Sequence, residues 1–159
     1  MDQIRALTPA DAALLERATV ENVNWEREQV TLADVRAARE LAHYTWFSPD
    51  RGDFGVVVER DGEAAGVAWA LFLPPDDPGY GFVADDVPEV ALWVRSDARR
   101  QGLGRRLLRA LKDAALARGV TRVSLSVEDG NNARHLYESE GFVDVAGREG
   151  DGVMVWQAR

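Results

Sequence analysis

The chain has 159 residues, 46% of them hydrophobic, no cysteine and a formal net charge of −8. This length supports one domain with its own core, and the missing cysteines exclude disulfides and thiolate metal sites. The acidic balance argues against a general nucleic-acid or anionic-membrane surface. Asp2 and Arg5 stand where a signal peptide would need an apolar segment. We therefore expect one cytoplasmic domain over residues 1–159, with no metal, no nucleic acid and no membrane as partner.

The first third of the chain predicts a short strand and two helices. The strand spans Ile4 to Leu7, and the capping pattern Thr8-Pro9-Ala10-Asp11 marks the start of the first helix. A similar pattern begins the second helix at Thr31. The predicted buried face of this helix consists of Leu32, Val35, Ala38 and Leu41. The aromatic residues that follow, Tyr44, Trp46 and Phe47, are interpreted as core or lid packing rather than as ligand contacts.

A hairpin and a long loop are predicted next. The runs from Phe54 to Glu59 and from Glu63 to Leu73 are strand-like, and Asp61-Gly62 between them is a strong hairpin signal. Pro74 to Pro88 contains four prolines, two glycines and four aspartates. A loop of this length is more typical of a functional flap than of a tight connection.

The stretch from Glu89 to Arg118 most strongly indicates a binding site. Val90 to Val94 is a short apolar run, which predicts a strand buried on both faces. Gly102 and Gly104 form a corner after it, and a helix then runs to Gly119. Such a corner directs free N–H groups and the positive end of the helix dipole to one place, which favours a phosphate-bearing ligand.

Positive charge is concentrated in the same stretch. Residues 95–122 contain nine basic and two acidic residues, a net charge of +7, whereas the rest of the chain carries −15. A local basic patch on an acidic protein suits a compact anionic ligand better than a long polyanion. The alternative, a helix that merely presents a solvated arginine face, leaves the glycine corner unexplained.

The last part of the chain predicts a strand, a short helix and a closing hairpin. Val120 to Val127 alternates apolar and polar residues, and the helix after Asn131 ends at Gly141. The hairpin pairs Phe142 to Ala146 with Val153 to Gln157. The predicted order is therefore strand, two helices, three strands, helix, strand, helix and two strands, which is an α/β arrangement.

Two motifs in register resemble those of the GCN5-related N-acetyltransferases, the GNAT superfamily. The acyl-CoA signature of that family is matched by Leu92 and Val94 on the strand, followed by Arg99, Gly102 and Gly104. A second match consists of Asn131, Ala133, Leu136, Tyr137, Gly141 and Phe142. The resemblance implies the GNAT fold, with a central mixed sheet of about six to seven strands, about four flanking helices and splayed central strands. It also implies acetyl-CoA as co-substrate and no metal.

The resemblance assigns roles to individual residues. The pyrophosphate of coenzyme A would lie on the amides of Gln101 to Arg105, and the pantetheine arm would pair with the edge of the strand. The Val94 N–H would polarise the thioester carbonyl, Asn131 would steady the pantetheine arm, and Tyr137 would be the general acid. The predicted cofactor-binding residues are Leu92, Trp93, Val94, Arg99, Arg100, Gln101, Gly102, Leu103, Gly104, Arg105, Asn131 and Tyr137.

The general base is predicted at the start of the central strand. The resemblance places a glutamate there, and Glu89 is the leading candidate, with Asp86 close by. The alternative is that Glu89 is a solvated charge at the end of the strand, just as the alternative for Tyr137 is simple packing of its helix on the sheet.

The acyl acceptor is predicted to be a cationic primary amine, either a small molecule or a peptide amine. Acidic loop residues would border its site, and Trp25, Trp46 or Tyr80 would offer it an aromatic face. The acidic residues in question are Glu21, Glu26, Asp76, Asp77, Asp85 and Asp86.

Other functions remain open at this stage. A P-loop fits poorly because Arg105 and Arg106 follow Gly104, and a dinucleotide fingerprint lacks a small residue at Leu107. The main alternative is a non-catalytic acyl-CoA-binding sensor or interaction module. A toxin-type or ribosome-associated transferase that works on a macromolecule is a third hypothesis. The protein is expected to be a monomer or a homodimer.

Overall fold

The computed structural model of the chain describes residues 2–159, so Met1, the first residue of the predicted domain, lies outside the described part. The described residues form seven strands and five α-helices, connected by loops and short 3₁₀ turns. These are β1 Asp2–Ala6, α1 Ala12–Val23, α2 Leu32–Ala37, α3 Arg39–Ala42, β2 Phe54–Arg60, β3 Glu63–Leu71, β4 Glu89–Val94, α4 Leu103–Ala117, β5 Arg122–Ser126, α5 Ala133–Ser139, β6 Val143–Asp144 and β7 Val153–Gln157. None of the helices within residues 2–159 has the length and apolar character needed to cross a bilayer.

All strands belong to one mixed sheet in the order β1-β2-β3-β4-β5-β7-β6. Neighbours are antiparallel except β4 and β5, which are parallel. The predicted α/β class and the mixed sheet are confirmed, and the elements follow the predicted order except that the second predicted helix is divided in two. The closing hairpin is shorter than expected, because β6 has only two residues and the chain then turns through a 3₁₀ segment.

The apolar strands are explained by burial on both faces of the sheet. Val56 and Val58 on β2 face one core with the leucines of α4, whereas Val57 faces a second core with Leu15 of α1. Strands covered on both sides need apolar residues at consecutive positions. β4 departs from the prediction of burial on both faces, since Leu92 and Val94 are only half-buried.

The second predicted helix is broken into α2 and α3. A capping box between Thr31 and Asp34 begins α2, as the sequence indicates. At Ala38, however, the backbone is extended, with φ −99° and ψ 111°, and the Ala38 carbonyl starts a new turn by accepting from Leu41 and Ala42. The predicted buried face is therefore wrong in part: Val35 is buried, but Leu32 is 38% exposed.

Candidate active site

A cleft opens in the middle of the sheet because two neighbouring strands separate. Within the described residues, β4 and β5 share one register pair, Glu89 with Ser124, and the Ser124 N–H donates to the Pro88 carbonyl at 3.0 Å. Beyond this point the two strands diverge, which confirms the predicted splay. The cleft encloses about 1130 Å³ between β4, the start of α4, the end of β5, α5 and α1.

The turn before α4 presents a row of amide groups to the cleft. The N–H groups of residues 101–105 donate to no backbone acceptor in the described chain, and the first bond of the helix runs from Arg106 N–H to the Gly102 carbonyl at 3.1 Å. Gly102 has φ +80°, and a Cβ there would have no atom within 4 Å. Free donors at the positive end of a helix are suited to a diphosphate.

The basic side chains around this turn differ in whether they already form an ion pair with a carboxylate. Arg105, Arg109 and Lys112 contact Glu140, and Arg106 contacts Asp2. Arg99 and Arg100 line the cleft, and within residues 2–159 neither guanidinium has a carboxylate within 4.0 Å. These two side chains are therefore free to compensate phosphate charge.

The edge of β4 that faces the cleft carries backbone groups of alternate residues. The Arg95 N–H donates to Ala65 on β3, so by the alternation of an antiparallel ladder Leu92 and Val94 direct their backbone groups away from β3. Their carbonyls accept from side chains in the cleft, Leu92 from Asn22 at 3.1 Å and Val94 from Arg99 at 3.2 Å. The Val94 N–H is thus directed into the cleft beside the amide turn.

Glu89 stands at the point where β4 and β5 part, and its side chain is buried. Its residue is 4% exposed, and its Oε1 atom accepts no hydrogen bond from the described residues. Its Oε2 atom accepts a short hydrogen bond from the Tyr44 hydroxyl. Burial raises the pKa of Glu89 to about 7, although the Tyr44 hydroxyl and the Gly81 amide act in the opposite direction. A carboxyl with this pKa accepts a proton readily near neutral pH.

The opposite wall contributes Tyr137 and Asn131. Tyr137 is 8% exposed, lines the cleft and packs its ring against Phe142, with 5.8 Å between the ring centroids. Burial raises the pKa of Tyr137 to about 12, so the phenol keeps its proton at neutral pH. Asn131 Oδ1 accepts from the Ala133 N–H at 2.9 Å and thereby starts α5. This bond leaves the Nδ2 donor of Asn131 for other contacts.

Comparison with family models identifies the family to which this fold and cleft belong. The model described as "Acetyltransferase (GNAT) family" matches residues 17–142. The chain belongs to the GNAT family of acetyltransferases. The predicted superfamily and the predicted acyltransferase class are thereby confirmed.

Individual relatives of this GNAT chain differ in size and target. A mycothiol acetyltransferase of Beutenbergia cavernae is 38% identical over 122 residues, which cover 76% of this chain and 37% of that protein. The ribosomal-protein-alanine N-acetyltransferase of Brucella melitensis has a TM-score of 0.66 at 27% identity, covering 98% of this chain and 99% of that one. The YncA protein of Salmonella typhimurium, solved with acetyl-CoA, shares the fold with a TM-score of 0.70 at 23% identity, over 100% and 95% of the two chains.

Most residues that the sequence singles out for the GNAT site line one cleft. Two of the predicted cofactor-binding residues do not. Trp93 is 1% exposed on the opposite face of the sheet, where its Nε1 donates to Glu21 at 3.1 Å, and the strand alternation turns its backbone towards β3. The Gln101 side chain accepts from Arg60 at 2.8 Å outside the cleft. The residues brought together are Glu89, Leu92, Val94, Arg99, Arg100, Gly102, Leu103, Gly104, Arg105, Asn131 and Tyr137.

None of the acidic residues predicted at the acceptor side lines the cleft, and Glu21 belongs to α1 rather than to a loop. Glu21 pairs with Arg17 and accepts a hydrogen bond from the Trp93 indole. Asp77 contacts Arg39 and His43. The carboxylates that do line the cleft are those of Glu89, Glu128 and Asp151. Among the predicted aromatic residues, Trp25 and Tyr80 line the cleft, whereas Trp46 does not.

The sequence interpretation missed Tyr44 and Asn22 as site residues. The sequence favours a packing role for Tyr44, but the Tyr44 hydroxyl contacts Glu89 and also accepts from the Tyr80 N–H at 2.9 Å. Asn22 lies in the last turns of α1 and reaches the Leu92 carbonyl. Nothing in the spacing of either residue indicates these contacts, because both cross between segments that are far apart in sequence.

Proposed function

We propose that this GNAT transfers the acetyl group of acetyl-CoA to a cationic primary amine by direct attack within a complex of both substrates. The observation that carries the proposal is the shared cleft: a buried carboxyl with a pKa near neutrality, a protonated phenol and an unpaired row of amides all line it. Each group supplies one step that amine acetylation needs.

The first step is removal of a proton from the ammonium group. Oε1 of Glu89 has no hydrogen-bond partner in the described chain. Because Gly79 packs against this buried atom, the proton reaches it through a water molecule or after a small movement of the loop. Because the pKa of Glu89 is about 7, a large fraction of the carboxyl is ionised at neutral pH and still basic enough to accept the proton.

The next steps act on the thioester. The amine nitrogen attacks the carbonyl carbon, and the Val94 N–H stabilises the negative charge that develops on the oxygen; one such donor contributes about 3 kcal/mol. The carbon–sulfur bond then breaks, and Tyr137 donates its proton to the leaving thiolate. The nitrogen gives up its second proton, which returns to the Tyr137 phenolate through water, and Glu89 releases the first proton to solvent. The products are the N-acetylated amine and free coenzyme A.

The acceptor half of the cleft favours a cationic amine. The Trp25 indole N–H donates to Glu128 Oε2 at 2.9 Å, so an aromatic ring and a carboxylate stand together at the mouth. Aromatic faces and carboxylates both attract an ammonium group. The names of the relatives include a small molecule, mycothiol, and a ribosomal protein, so a small amine and a peptide amine both belong in the test.

The test measures thiol release from acetyl-CoA with a panel of cationic, neutral and acidic amines. We expect the highest kcat/KM among cationic amines, and a fall in kcat of about 100-fold for Tyr137→Phe and for Glu89→Gln, as for the loss of a general acid or base. Acetyl-CoA affinity, measured by calorimetry, should stay unchanged in Glu89→Gln, because Glu89 is not among the predicted cofactor-binding residues.

Two outcomes would contradict the proposal. Acetyl-CoA binding without release under any acceptor would favour the non-catalytic sensor. Faster transfer to neutral or acidic amines than to every cationic one would contradict the electrostatic account of the acceptor site.

A further inference from the structure

Tyr44 lies at the junction of three parts of the cleft. It follows α3 in a 3₁₀ turn, and its carbonyl accepts from the Trp69 indole N–H at 2.9 Å, which fixes its backbone on the sheet. Its hydroxyl donates to Glu89 on β4 and accepts from the Tyr80 N–H of the loop between β3 and β4. One oxygen atom therefore connects the carboxylate to the loop.

The loop segment from Gly79 to Phe82 packs against the Tyr44 hydroxyl and against the sheet. A Cβ at Gly79 would lie 1.9 Å from Glu89 Oε1 and 2.7 Å from the Tyr44 hydroxyl oxygen. A Cβ at Gly81 would lie 2.6 Å from the backbone of Leu125 on β5. The segment thus closes on Glu89 because these two positions have no side chain.

We infer that Tyr44 is a positioning residue that locks the Glu89 carboxylate and the Gly79–Phe82 segment into one arrangement. The proposed base and the acceptor wall, which is the side of the cleft formed by this segment, are therefore positioned together. This inference rests on the proposed function for the role of Glu89 as the base. The lock itself consists of the Tyr44 and Glu89 side chains and the Tyr80 backbone N–H, and it exists without either substrate.

The Tyr44 hydroxyl is a permanent donor in this arrangement. Burial, followed by the charge of Glu89, raises the pKa of Tyr44, so the phenol does not ionise when Glu89 does. A hydrogen bond donated to a carboxylate favours its charged form and opposes the effect of burial. Tyr44 therefore keeps Glu89 ionisable close to neutral pH.

Other titratable groups around Glu89 are few. The loop contributes Tyr80, whose ring stacks on the Tyr44 ring with 6.5 Å between the centroids. His43 follows α3, and its ring meets the Tyr44 ring edge-on, with 4.6 Å between the centroids. His43 also forms a hydrogen bond with Asp77. β5 places Ser124 opposite Glu89. A direct titration of the Glu89 carboxyl follows this group alone.

The experiment follows the Glu89 carboxyl by carbon NMR in protein labelled at the glutamate side chains, without substrates. Its resonance is assigned by its absence in Glu89→Gln. Tyr44→Phe keeps the ring and removes the donor, so we expect the midpoint to move up by about one pH unit. Tyr80→Phe is the matched control: its tie to Tyr44 is a backbone N–H, so the midpoint should stay in place.

Gly79→Ala serves as a second variant if Tyr44→Phe is poorly folded, because it displaces the carboxylate or the hydroxyl without deleting either group. Gly150→Ala, where a Cβ meets nothing within 4 Å, is its control. We expect Gly79→Ala to move the midpoint upward and Gly150→Ala to leave it unchanged.

Kinetics with the best acceptor provide the second readout. In Tyr44→Phe the acid limb of kcat/KM should move to higher pH together with the NMR midpoint, while acetyl-CoA affinity stays the same. An unmoved midpoint in folded Tyr44→Phe and Gly79→Ala overturns the inference and leaves the proposed function standing. A moved midpoint in a protein that acetylates no amine supports the lock and contradicts the proposed function.

Discussion

Arg99 and Arg100 differ from the other basic residues around the amide turn because no carboxylate in the described chain holds them. Arg100 also adopts φ +62°, a conformation that few side chains favour. A guanidinium kept free beside unpaired amides can form strong bonds to phosphate oxygens.

The double substitution of Arg99 and Arg100 by alanine should weaken acetyl-CoA binding about 10-fold to 100-fold, because two charge-assisted contacts to phosphate are lost. Calorimetry at two salt concentrations measures the effect, and the salt dependence should decrease as well. Arg118→Ala is the control: it removes a charge from the same segment, at the far end of α4 beside Phe54. Equal affinity of the double variant and the native protein would contradict this reading of the turn.

At the scale of elements, α5 is tied to α4 through one glutamate. The Glu140 side chain is 5% exposed and receives Arg105, Arg109 and Lys112, while the Lys112 ammonium also donates to the Glu140 carbonyl. Burial raises the pKa of Glu140, but the hydrogen bonds from Arg109 and Arg105 outweigh it and hold the pKa below the usual range. Since α5 carries Tyr137, this tie also fixes the position of the proposed general acid.

Glu140→Gln should lower the free energy of unfolding by about 2 kcal/mol, because three cations lose their partner and two of them remain partly solvated. Urea unfolding measures the change. The contribution of Glu140 is present above pH 4.5, its ordinary value, and disappears as the pH falls through its lower folded pKa. Glu138→Gln on the same helix, where Arg134 is 3.9 Å away at the surface, should have little effect. A loss of equal size in both variants would contradict a special role for Glu140.

The elements show where sequence patterns succeed and where they fail. The start of α4 follows from Gly102 and the leucine spacing, and these features are local. The break at Ala38 is not visible in the sequence, since the apolar spacing continues through it while the chain turns to place Tyr44 against Trp69. Contacts between distant segments decide such details, and a pattern within one segment does not contain them.

At the scale of the whole molecule, Glu89 affects stability in the opposite direction to Glu140. Its folded pKa of about 7 lies above the ordinary 4.5, so the folded protein binds the proton more tightly than the unfolded chain. Stability from this group is fully present below pH 4.5 and is lost as the pH rises to about 7. The difference in pKa corresponds to about 3 kcal/mol.

The free energy of unfolding of the native protein, minus that of Glu89→Gln, should therefore fall by about 3 kcal/mol from pH 4.5 to above pH 7. Urea unfolding at a series of pH values measures this difference without any substrate. Parallel curves for the two proteins across that range would show that Glu89 is not held in a desolvating site.

The fold and the donor half of the cleft could be predicted because their determinants are contiguous: an apolar strand, a glycine turn and an amphipathic helix. The acceptor half could not. Asp77, which the sequence suggests for the acceptor half, contacts Arg39 and His43 instead. Glu128 lines the cleft because of the path that the chain takes after β5. The number of acidic residues in a loop does not reveal which of them are already paired.

The guanidinium of Arg148 donates to the Phe82 carbonyl at 3.1 Å and to the Tyr80 carbonyl at 3.5 Å. The family match ends at Phe142, so this anchor of the acceptor wall lies outside the matched region. If the proposed function holds, a change at Arg148 alters the cleft wall at Tyr80 and leaves the residues of the amide turn in place.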